Sequence, residues 1–177
     1  MNAVLINGDI TAKSLEVAKG EIVGLNRRGE PFVLVINSFG KHDGAGGHMK
    51  GSIDFVDFIK TDENLRGLKG VKMYEAHSTA AFIALSLDVP KELRSNSRLR
   101  IHVGDIGKVE FISLTPEGKI KEEQFEELSA FYARTMELIN RLEALTTEEI
   151  QGTLSKEGSV FLNAEECLRR GLVHRLF

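Results

Sequence analysis

The stretch "PFVLVINSFG", residues 31–40, constrains this chain more than any other part of it. From Phe32 to Ile36 every side chain is apolar, and Val33, Val35 and Ile36 are β-branched. A run that short and that uniformly apolar predicts a strand covered on both faces. Strands of that kind belong to parallel sheets, whose connections must cross the sheet, usually as helices. The preceding sequence fits: "AVLING" (3–8) reads as a shorter buried strand closed by Asn-Gly. After it, Leu15, Ala18, Ile22 and Leu25 recur at helical spacing, with Thr11 as N-cap and Gly29 as stop.

The pattern continues downstream. "KHDGAGGHMKG" is a glycine-rich loop, and Ile53, Val56 and Ile59 in "SIDFVDFIK" mark a helix. "TDENLRGLKG" reads as a charged surface connection, "VKMYEAH" as a strand and "STAAFIALSL" as a buried helix. Past Pro90, "KELRSNS" reads as a polar turn, "RLRIHVG" (98–104) as a strand and 108–120 as a hairpin with a Pro-Glu-Gly turn. The longest helix is expected over 122–145, where Leu128, Phe131, Thr135, Leu138, Leu142 and Leu145 form one stripe. A stripe on so long a helix suggests packing beyond its own domain, against a partner subunit. "TTEEIQGTL" and "FLNAEECLRRG" both open like capping boxes, the second with Asn163 as cap and Glu166 at N3, and "LVHRLF" is strand-like. Alternating strands and helices define an α/β fold with mainly parallel strands.

Composition narrows the function classes. At 177 residues the chain is the length of one domain, 1–177, and its net charge of −3 leaves no basic face for nucleic acid. Cys167 is the sole cysteine, which rules out an intrachain disulfide and predicts a small buried residue rather than a nucleophile. No apolar run reaches bilayer length and "MNAVLINGDI" lacks a charged leader region, so a cytoplasmic protein without a targeting segment is expected.

In parallel α/β folds ligands gather where strands end and helices begin. Two junctions qualify: "INSFGKHDGAGG" and "YEAHSTAAF". At the second, Ser78 opens a helix, either as an ordinary N-cap or as a nucleophile beside free helix amides. Ala76, Ala80 and Ala81 leave room for a substrate backbone there. At the first, Gly40 can turn a main-chain N–H toward an incoming carbonyl, and two such donors make an oxyanion hole. Ser38 reads as a turn residue. His42, Asp43 and His48 are metal-capable types, yet their spacing matches no standard motif, so a loop is expected there and no metal. His77 is expected on the pocket wall, turned away from Ser78. His102 alone in its strand reads as structural.

Taken in order, "VLINGDI", "LVINSFG", "YEAHSTAAFIALSLDVPKELRSNSRLRIH" and "FLNAEECLRRGLVHRL" resemble the proteolytic subunit of the Clp protease, within the Clp/crotonase superfamily. The resemblance covers most of the chain. It implies a ββα spiral with a long handle-type helix, assembled as a homo-oligomeric ring that cleaves peptides or unfolded proteins without a cofactor. It further implies Ser78 as nucleophile, His102 as general base, and Gly40 and Thr79 as oxyanion amides. The family's acid position holds Ser159, with Glu157 and Asp105 as the nearest carboxylates in sequence. The loop after residue 38 is longer than the family's, the 108–120 segment differs from it, and the start lacks the segment that forms axial loops, which leaves docking of an ATPase partner open. Two alternatives accompany this expectation: a ring-forming scaffold with an impaired site, and a crotonase-type enzyme acting on acyl thioesters.

Overall fold

The computed structural model describes residues 1–38, 49–101, 122–143, 145–153 and 159–177; side chains at 122–125, 127–128 and 151–153 are not included in the description. The chain runs β1 (Asn2–Asn7), α1 (Ala12–Arg27), β2 (Phe32–Ser38), α2 (Met49–Ile59), α3 (Asp62–Gly67), β3 (Leu68–His77) and α4 (Thr79–Ser86). It continues through β4 (Lys91–Leu93), β5 (Arg98–Ile101), α5 (Glu122–Leu142), α6 (Thr147–Thr153), β6 (Val160–Asn163), α7 (Ala164–Arg169) and β7 (Arg175–Leu176). The fold is α/β with a mostly parallel sheet in the order β1-β2-β3-β4-β7.

The sheet forks at β3. The first half of β3 pairs with β4 (Val71↔Lys91, Met73↔Leu93), and its end pairs with β5 (Ala76↔Leu99, His77↔Arg100). The Ser97 hydroxyl donates to the Tyr74 carbonyl at the fork, so the backbone group between the two pairings has a partner. Gly70 lets the chains approach on the β4 side: a Cβ there would stand 2.9 Å from the Pro90 carbonyl oxygen, which accepts from Val71 N–H at 2.9 Å. Beyond β5 lies β6, the one antiparallel neighbour among the described pairings (Arg98↔Asn163, Ile101↔Val160).

Helix ends follow their local chemistry. Thr11 and Ser14 form a reciprocal capping box on α1, and Leu15, Ala18, Ile22 and Leu25 are its buried face. Gly29 adopts φ 65° just past the end of α1, a conformation that costs glycine nothing. Asn163 caps α7 by accepting from Glu166 N–H at 2.8 Å, and Thr146 and Glu149 exchange the two bonds of a capping box on α6.

Several sequence expectations need correction. β2 is fully buried on the face of Phe32, Leu34, Ile36 and Ser38 but only half-buried on the other, so its apolar run is not covered equally on both sides. The "TDENLRGLKG" connection contains α3 and the start of β3: Asp62 and Glu63 favour the positive helix end and Arg66 the negative one. Buried Asn64 fastens α3 by donating to the Phe58 carbonyl and accepting from Asn26. The "polar turn" after Pro90 begins with β4, whose Lys91 is buried, with burial pushing its ammonium pKa down. Ser38 ends a strand instead of sitting in a turn. Along the long-helix stripe Phe131, Thr135, Leu138 and Leu145 are buried and Leu142 is half-buried, with α5 against α2 and α4. The hairpin expected at 108–120 lies outside the described residues.

α4 is the centre of this packing. Every residue from Thr79 to Ser86 is buried, as expected of a helix that is apolar on all sides. Phe82 meets Phe131 of α5 with ring centroids 4.9 Å apart, and each buried aromatic contributes roughly 1.5–3 kcal/mol of transfer free energy. Behind Ser78 the scaffold is therefore closely packed and apolar. Among the described residues no helix is long and apolar enough to cross a membrane.

Candidate active site

Ser78 owes its geometry to two elements that disagree about direction. Up to His77 the backbone is strand, and the Ser78 N–H extends that ladder by donating to the Arg100 carbonyl at 2.9 Å. One residue later α4 has begun, with Phe82 N–H donating back to the Ser78 carbonyl at 3.0 Å. The whole change of direction falls on Ser78, at φ 55° and ψ −119°. That combination lies outside every region comfortable for a residue with a Cβ, and holding it costs about 1–3 kcal/mol.

The hydroxyl is not used for capping. Serine at this position ordinarily accepts from an amide in the first helical turn, but the Ser78 side chain makes no cap hydrogen bond. The side chain is half-buried and lines a pocket walled by Ala81, Phe82 and Leu85 of α4, Ile101 of β5, and Thr135 and Leu138 of α5. The enclosed space is about 20 Å³, enough for one water. The first amides of α4, Thr79 among them, belong to the set a helix leaves without intrahelical acceptors, and the helix dipole there favours negative charge. A strained strand-to-helix serine beside such amides has physical features that a nucleophile requires: a hydroxyl not tied up as a cap, a fixed backbone direction, and donors for charge forming on an attacked carbonyl.

β5 runs beside the end of β3 and finishes at Ile101, which shares the pocket with Ser78; His102 is the next residue and lies outside the described residues. Gly40, Asp105 and Glu157 also lie outside them, as do His42, Asp43 and His48. Thr79 is buried at the first position of α4. The structure thus brings together Ser78, Thr79 and Ile101, the last residue of β5.

Ser159 precedes β6, and its Oγ accepts from Arg100 Nε at 2.9 Å. The Arg100 guanidinium also stands 5.6 Å from the centroid of the Phe161 ring, and that of Arg98 stands 4.8 Å from it. His77 Nε2 is 3.2 Å from Glu75 Oε2, on the face its strand neighbour two residues back also occupies, and its ring meets Phe161 edge-on at 6.2 Å. Ser38 Oγ is fully buried at the end of β2 and has no hydrogen-bond partner. Among the described residues no group of three or more metal-capable side chains occurs.

Two residues near Ser78 were not singled out by the sequence. Thr135 stood in the apolar stripe of the long helix, and a hydroxyl among leucines was itself the signal. Arg100 lay in the alternation of "RLRIH", where its pairing with a residue 59 positions away could not be read. No protein-family model matches this chain, and no curated protein matches it.

Proposed function

We propose that this chain is a serine-type peptidase resembling the Clp proteolytic subunit, with Ser78 as nucleophile and His102 as general base. The backbone of Ser78 carries this reading. A side chain forced to φ 55° and ψ −119°, and then not used as a cap, is strain without structural return. Placing the hydroxyl clear of its own helix and facing a pocket gives that strain a purpose.

In the proposed reaction Ser78 Oγ attacks a peptide carbonyl carbon while the imidazole of His102 takes the hydroxyl proton. The carbonyl oxygen becomes an oxyanion, held by the amides of Thr79 and Gly40. The C–N bond then breaks, the imidazole returns the proton to the leaving amine, and water hydrolyses the acyl-serine by the reverse sequence. A homo-oligomeric ring and a peptide or unfolded-protein substrate belong to the same proposal.

The Arg100–Ser159 bond favours a second reading, a ring subunit that keeps the fold with an impaired site. In a related triad, losing the acid's charge alone lowers kcat by about 10⁴. A fluorophosphonate probe separates the two. Covalent labelling at Ser78, abolished by His102→Ala and by prior heat denaturation, is the expected result. No adduct at Ser78 in the native protein would favour the scaffold.

A further inference from the structure

The pocket beside Ser78 contains one group that packing does not explain. Its walls are apolar, contributed by Phe82 and Leu85 of α4, Ile101 of β5 and Leu138 of α5. Thr135 interrupts them. It is 4% exposed, it lines the pocket, and its Oγ1 is buried with no hydrogen-bond partner. A buried hydroxyl left unpaired costs stability, and valine would fill the same volume at no such cost. The pocket it shares with Ser78 has room for one water, so a bound group that displaces that water must itself supply a hydrogen bond to the Thr135 hydroxyl.

Size and position identify the class of that partner. The pocket is small, about 20 Å³, which favours the tip of a short side chain over an aromatic ring or a long chain. Ser78 lines the same pocket, so an occupant sits within reach of the hydroxyl that would attack. We propose that Thr135 is a specificity residue. It selects substrates in which the residue supplying the attacked carbonyl has a short, hydroxyl-tipped side chain, threonine or serine, over an aliphatic side chain of equal size. This rests on Ser78 being the nucleophile only for the reaction, since the selection itself is a property of binding. The physical basis is asymmetry: a hydroxyl-bearing group satisfies Thr135, whereas its methyl isostere buries the Thr135 oxygen unpaired.

The test uses two peptides identical except for threonine or valine at that position. Binding is measured to the Ser78→Ala protein, which needs no turnover, and kcat/KM to the wild type. The threonine peptide is expected to be preferred by roughly tenfold or more in both measurements. Adding Thr135→Val should abolish or reverse the preference while leaving the fold at least as stable, and Thr135→Ser should retain it. Equal binding of both peptides, or a preference unmoved by Thr135→Val, overturns the proposal. A preference in binding that depends on Thr135, found in a protein whose Ser78 takes no fluorophosphonate, supports the selective pocket and removes the peptidase reading alone.

Discussion

Replacing Ser78 by glycine should make the protein more stable, which an ordinary helix-capping serine would not do. At φ 55° and ψ −119° the Cβ of Ser78 imposes a cost of about 1–3 kcal/mol, which glycine escapes. Glycine's larger freedom in the unfolded chain offsets about 0.4–1 kcal/mol of that gain. The net expectation is a stabilisation of about 1 kcal/mol, or roughly 2–4 °C in Tm for a chain of this size. Ser78→Ala is the control: it keeps the Cβ and removes a hydroxyl that caps nothing, so it should stay within about 0.5 kcal/mol of wild type. A capping serine would instead lose about 0.5–2 kcal/mol on the same change. Thermal and urea unfolding of the three proteins read the order directly: glycine above serine, with alanine level with serine. If alanine costs about 1 kcal/mol and glycine brings no gain, the serine is a cap and the strain argument fails.

Two further outcomes follow from charge and burial elsewhere. Glu149 is held at a pKa of about 2, below its ordinary 4.5, chiefly by its hydrogen bonds from the Arg170 guanidinium. A depressed carboxylate pKa stabilises the fold above the unfolded value, so this contribution should be complete at neutral pH and fade as pH falls from about 4.5 toward about 2. The pair is partly solvated, so Glu149→Gln should cost only about 1 kcal/mol at pH 7, with the gap closing on acidification in urea titrations; a gap independent of pH would refute the assignment. Cys167 is fully buried, and burial raises its thiol pKa to about 11. Thiol reagents at pH 8 should leave it unmodified in the native protein and react once it unfolds; rapid native labelling would contradict its placement.

Where a pattern was long or a cap was local, the sequence could be read directly. The α1 face from Leu15 to Leu25, the Thr11 and Asn163 caps and the buried helix after Ser78 all stand as their spacing indicated. β4 could not be read, because a three-residue strand beginning with a buried lysine owes its existence to pairing with β3 and β7. α3 was obscured by its charge, which is favourable at both ends of so short a helix. At the site, sequence singled out Ser78 but could not decide between cap and nucleophile. That the side chain makes no cap hydrogen bond goes with one pair of backbone angles, and no residue type announces them.

The antiparallel pairing of β5 with β6 has a consequence for timing. Arg100 holds the serine's amide, and it is fixed in turn by partners near residue 160, from Phe161 in the ladder to the Ser159 hydroxyl. During synthesis the kinked serine can be set only after those distant residues have left the ribosome and folded back. A half-made chain would carry Ser78 in relaxed coil, without its strained backbone angles, until the sheet closes.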